Sequence, residues 1–265
     1  MQYVYTILIV GVLILLSGIG YVVMQEVRPL PIVAMVHLFI FVVGLLVIKR
    51  FLAAYNRTQE IVFKYFAWAV IPPVFCAFLM AASAFYLNAY PKLFGIVGWN
   101  LGMTVHMIGF AFYLMIVFHL VGKPKIAKLA FWLFLIVGEV AMLLSWLKIP
   151  EPMIAERGIT VWNITSLQGN LILVALVVVF VPVSLYFIIK GLQSEDRTVK
   201  IRSVLVGGGI LLNTLGEGFL GFGNTVFING PAAFSVGIAY LLLMFGAFYG
   251  RPKEQLATRA TAPLA

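Results

Sequence analysis

Charge is what this chain has least of. Only 10% of its 265 residues are Asp, Glu, Lys or Arg, and Asp196 is the sole aspartate. A soluble domain carries about 25%. With 63% hydrophobic residues and a mean hydropathy of +1.09, most of the chain must sit in lipid. Cysteine is almost as scarce. The lone Cys76 lies in an apolar run, has no partner for an intrachain disulfide and reads as a small buried hydrophobe. Also missing are HExxH, CxxC and CxxCH motifs, a Ser–His–carboxylate set, a paired Asp-rich diphosphate motif, and a mid-span lysine for a retinal Schiff base. These absences argue against a hydrolase, a prenyl-diphosphate enzyme and a rhodopsin-like photoreceptor. The few buried polar groups argue against an ion-coupled transporter of polar solutes. No polar stretch is long enough for a second folded domain; the longest, residues 148–165, is about 18 residues.

What is present is a series of eight apolar runs, at 3–24, 31–51, 62–86, 96–121, 126–147, 167–189, 204–222 and 232–249. Each is near the length of about 20 residues that spans a bilayer as a helix. Backbone groups in lipid must be satisfied internally, and these runs lack the alternating polarity of barrel strands. The expected fold is an all-α integral membrane protein with eight transmembrane helices, residues 1–250 forming one domain and 251–265 a cytoplasmic tail. The N-terminus has no basic stretch and no small-residue cleavage site, so 3–24 reads as a span and not a removed signal.

The net charge of +9 is unevenly placed. Fourteen of the 18 lysines and arginines fall at one set of helix ends and four (Arg28, Lys92, Lys148 and Arg157) at the other. The positive-inside rule then puts both termini in the cytoplasm of a multi-pass plasma-membrane protein. This alternation favours a membrane surface over nucleic acid as the reason for the charge. Pro72 and Pro73 should kink the third run. The 148–166 connection should lie at the membrane interface with Trp162 at headgroup depth. The glycine-rich stretch 213–224 suggests that its helix ends irregularly.

Three histidines and two carboxyls within apolar runs, Glu139 near mid-span and Glu217 near the outer end, carry the chemistry. His37 and His106 lie on runs of the same direction and at similar depth, counting about 1.5 Å per residue. Two imidazoles facing each other in a bundle are the arrangement a b-type haem requires. Gly102, Gly109 and Tyr113, with Trp99, share the His106 face, and Gly44 shares the His37 face, as a flat macrocycle approaching the backbone would need. His119, thirteen residues after His106, points about 140° away and reads as an interfacial side chain. Arg50 occupies the corresponding place after His37, where it is suited to a propionate. Glu139, in mid-span, and Glu217 with Asn213 are candidates for proton transfer or quinone contact, because a charged carboxylate there is costly unless paired or hydrated.

The leading expectation is an integral subunit of an electron-transfer complex, self-contained catalysis being unlike a chain with so few reactive groups. It would bind haem b between His37 and His106, with quinone as a further ligand and lipids and other subunits as partners. The alternatives are a haem-free anchor that binds lipid or quinone, and a sensory module without its own output domain.

Overall fold

The computed structural model describes residues 32–87, 89–154, 159–222 and 226–249. The first apolar run, the turn containing Arg28 and the C-terminal tail lie outside the described residues. Seven helices follow: α1 (Ile32–Thr58), α2 (Ile61–Ala84), α3 (Pro91–Leu120), α4 (Pro124–Leu147), α5 (Ser166–Leu192), α6 (Arg197–Phe222) and α7 (Val226–Phe248). All seven are long and apolar enough to cross a membrane, as a multi-pass protein requires.

Local chemistry sets the helix boundaries. The only aspartate caps α6: Asp196 Oδ1 accepts from the backbone N–H of Thr198 at 2.6 Å and of Val199 at 3.2 Å. Pro91 and Pro124 stand at the first positions of α3 and α4, where a missing N–H costs nothing. Gly122, at φ +73°, ends α3 in the left-handed conformation that glycine adopts without strain. Several helices extend beyond the apolar runs, most clearly α6, which begins at Arg197 instead of 204. Hydropathy marks the lipid-facing length and misses the solvated turn that a cap adds.

Each helix packs against its chain neighbours, and α7 closes back on α1 to complete a ring. The α2 helix is the most enclosed and α4 the least. Glycines make the close contacts. A Cβ at Gly44 would overlap the side chain of Val74, and one at Gly109 would lie 2.5 Å from Pro73 Cδ and 2.8 Å from the Ala69 carbonyl oxygen. Pro72 and Pro73 lie within the continuous α2 helix.

Three features differ from the sequence reading. First, α6 is helical through Phe222, with Gly216 packed against Ala232, Ser235 and Val236 of α7, while Gly223 and Asn224, the end of the glycine-rich stretch, lie outside the described residues. Second, residues Phe94–Leu101 of α3 form a π-helix, a wider winding that occurs often at functional sites. It is tied to α4 by two bonds. Ser145 Oγ donates to Asn100 Oδ1 at 2.6 Å, and Asn100 Nδ2 donates to the Ser145 carbonyl at 3.2 Å. Third, the long connection does not hold Trp162 among headgroups. It forms a two-residue antiparallel hairpin, β1 (Met153–Ile154) with β2 (Thr160–Val161), and Trp162 beyond it is 1% exposed. Its ring packs on Trp99 at 4.9 Å and Phe94 at 5.5 Å. Full burial of so large a ring outweighs an interfacial position. The hairpin is anchored to α7, where Asn229 Nδ2 donates to the Thr160 carbonyl at 2.8 Å.

Candidate functional site

The enclosed faces of the ring surround a cavity of about 50 Å³. Its polar lining comes from four helices and one loop: His37 of α1, Cys76 of α2, Trp99 and His106 of α3, Glu217 of α6, and Trp162. Tyr240 of α7 also lines it, together with apolar side chains such as Met80 and Met103. A second void of about 10 Å³, lined by Tyr113, Asn213 and again His106 and Tyr240, lies against the first.

The hydrogen bonds fix parts of this site. His37 Nδ1 lies 2.8 Å from the Val33 carbonyl oxygen. A carbonyl only accepts, so Nδ1 carries the proton and a neutral ring keeps its lone pair on Nε2. Asn213 and Glu217 are one helical turn apart, and Asn213 Nδ2 donates to Glu217 Oε1 at 2.9 Å. The same oxygen lies 3.8 Å from His106 Nε2, beyond direct hydrogen bonding but suited to a bridging water. The His106 ring packs on Phe110 at 4.2 Å, which limits its rotation.

Buried polar atoms without a partner concentrate here. Among the described residues there are seven: Trp99 Nε1, His106 Nε2, Thr160 Oγ1, Trp162 Nε1, Asn213 Oδ1, Glu217 Oε2 and Asn229 Oδ1. Five of them belong to residues lining the two voids. Buried polar groups are almost always satisfied, so such a cluster calls for an occupant with hydrogen bonds to give and take.

The sequence candidates are therefore divided. His37, His106 and Glu217 meet at the larger void, with Asn213 and Tyr113 at the smaller one. Gly44, Gly102 and Gly109 line neither void. They seat α1 and α3 against α2, Gly102 beside Cys76, where a Cβ would lie 3.1 Å from the sulfur. Glu139 is half-buried on α4 and lines neither void. His119 packs edge-on against Tyr65 at 5.7 Å, near the basic end of α3. Arg50 donates to the Ala247 carbonyl at 3.2 Å, thirteen residues and about 20 Å along α1 from His37. Tyr240, Trp162 and Cys76 join the site without having been singled out as ligand contacts. Only topology brings them there, although the aromatic character of Trp162 was legible.

A b-type haem was expected between the two histidines. The donors suit it, since both imidazoles border one void and the His37 tautomer leaves Nε2 to coordinate. The space does not. Ligand pockets for flat, drug-sized molecules run to about 300 Å³ or more, and this void is about 50 Å³, bounded by Met80, Trp99, Met103 and Trp162. As built, the site does not accommodate a porphyrin. Nor, among the described residues, do three His, Cys, Asp or Glu side chains converge closely enough to hold a metal ion. The void matches a few water molecules, each needing about 10–15 Å³ of such space. No family model matches this chain, and no match was found among the curated proteins or the solved structures.

Proposed function

We propose that this protein is a haem-free, multi-pass membrane subunit whose central void is a hydrated proton-exchange site, with His106 and Glu217 as the exchanging pair. The observation that carries this reading is the 3.8 Å separation of His106 Nε2 and Glu217 Oε1 within a cluster of unpartnered buried polar atoms. One bridging water completes a path from carboxyl to imidazole. The proton resides on the carboxyl beside a neutral imidazole, or on the imidazole beside a carboxylate. Both states leave the pair with zero net charge, so the transfer places no net charge in a low-dielectric interior. Asn213 steadies the carboxylate by donating to the shared oxygen. His37, across the void, offers a lone pair through which a second water joins the network.

A quinol headgroup is the ligand that such a pair would serve: its oxidation to the quinone passes two electrons to a redox centre of a partner subunit and releases two protons that need an acceptor. Its ring requires more room than the void offers, and displacement of Trp162 is the movement that would supply it. The same reading takes residues 3–24 as an eighth span and both termini as cytoplasmic, supported by the fourteen-to-four distribution of basic residues. The plasma membrane as location and other subunits as partners belong to this proposal.

Infrared spectroscopy of the protein in lipid tests the pair, using a Glu139→Gln background so that Glu217 is the intramembrane carboxyl observed. The neutral-carboxyl C=O band should disappear in Glu217→Gln and shift in frequency in Asn213→Leu. It should gain intensity in His106→Phe, because the proton then has no base to move to. A band indifferent to His106 would overturn the proposal.

A further inference from the structure

Glu139 presents a different problem. It lies on α4, the helix with the least burial, about 5 Å from the helix midpoint. Among the described residues no side chain forms a hydrogen bond or ion pair with its carboxyl. A carboxyl at this depth that faces lipid is costly whether ionised or merely unpartnered. The residues around it are arranged as a seam. Leu129, Trp132, Ile136, Glu139, Leu143 and Trp146 follow at alternating steps of three and four, the 3.5-residue spacing with which one helix packs along another. Leu129, Trp132, Ile136 and Leu143 are 59–60% exposed.

We propose that this seam is the docking face for a transmembrane helix of another protein that carries a lysine or arginine at the depth of Glu139. This deepens the subunit reading above by naming the surface through which the chain assembles. Charge complementarity selects the occupant. The apolar run 3–24 contains no Lys, Arg or His and offers no cation. A second copy meeting through the same face would set carboxyl against carboxyl. The lysines and arginines of the described helices lie at the ends of the apolar runs, outside reach of mid-membrane. A foreign cation at the matching depth resolves the unpaired carboxyl, and polar contacts of this kind fix helix pairing in membranes where apolar contact alone discriminates poorly.

A photo-crosslinking residue placed at Ile136, in the full chain and in native membranes, tests this, with the same residue at Val137, 100° round the helix, as the off-seam control. The expected product at Ile136 is an adduct whose partner peptide, identified by mass spectrometry, is a transmembrane segment bearing Lys or Arg near mid-span. Val137 should give none. Glu139→Leu should lower the yield about tenfold, and Glu139→Lys combined with an acidic substitution of the partner's cation should restore it. Adducts to lipid alone, to this same chain or to a helix without a cation would overturn the proposal, as would a yield indifferent to Glu139. The Glu217 carboxyl band, read in the Glu139→Leu protein, reports an intact bundle. Loss of the adduct with that band unchanged therefore concerns the seam alone. A band indifferent to His106, with the adduct intact, sinks only the proton-exchange reading.

Discussion

Glu217 and Glu139 are the same residue type in the same kind of environment by sequence, each within an apolar run. The fold gives them opposite situations. Glu217 faces inward, bonded to Asn213, 3.8 Å from an imidazole and beside a void. Glu139 sits on a sparsely covered helix with no such company among the described residues. In the reading proposed above, the cost of a membrane carboxyl is met within the chain at Glu217 and by a partner helix at Glu139. Which solution applies follows from helix rotation, not from depth. It also divides the molecule into a tightly closed part, built on α2, and an open flank at α4.

The sharpest way to break this division is to open the closed part. Trp162→Ala removes a fully buried ring that packs on two aromatic neighbours, and should cost about 3–5 kcal/mol in detergent unfolding. A small loss would mean that the hairpin does not seal the bundle. Next comes the carboxyl pair itself. Glu217→Leu leaves His106 and Asn213 without their common partner and should destabilise the isolated protein by about 2 kcal/mol. Glu139→Leu should leave the isolated protein unchanged or slightly more stable. Equal losses at the two sites would erase the distinction. Two glycines draw the same contrast. Gly109→Ala forces a methyl against Pro73 and Ala69 and should cost about 1–3 kcal/mol, whereas Gly208→Ala, with nothing within 4 Å, should gain up to about 1 kcal/mol from helix propensity. Purified protein should also show no haem absorption band; a b-type spectrum lost in His106→Ala would restore the porphyrin.

Much of the seven-helix arrangement was legible because lipid leaves the backbone so few solutions, and run length plus polarity then locates each described span. Counting residues from the helix ends placed His37 and His106 at one level, and Asn213 and Glu217 were legible as candidates, though their contact was not read from their spacing. Other features were hidden for physical reasons. A glycine that admits a macrocycle and one that admits a neighbouring helix read alike; the Gly98–Gly102 GxxxG spacing suits close helix packing, but only the fold shows α2 at Gly44, Gly102 and Gly109. A tryptophan in a polar connection suits both a headgroup layer and a core, and only the hairpin's attachment to Asn229 decides for the core. The π-winding left no trace in hydropathy, since lengthening a hydrogen-bonded turn changes no side chain.

That winding has a consequence for how the chain can vary by descent. Loss of a single codon within 94–101 would preserve the reading frame, the hydropathy profile and the length needed to cross the bilayer. Yet tightening the π-helix to an α-helix would swing everything beyond it by about 100° relative to Pro91. The Asn100–Ser145 clasp and the Trp99 and His106 walls depend on one phase of that helix. Shortened homologues that look unchanged by any measure of greasiness would therefore have a rewired interior.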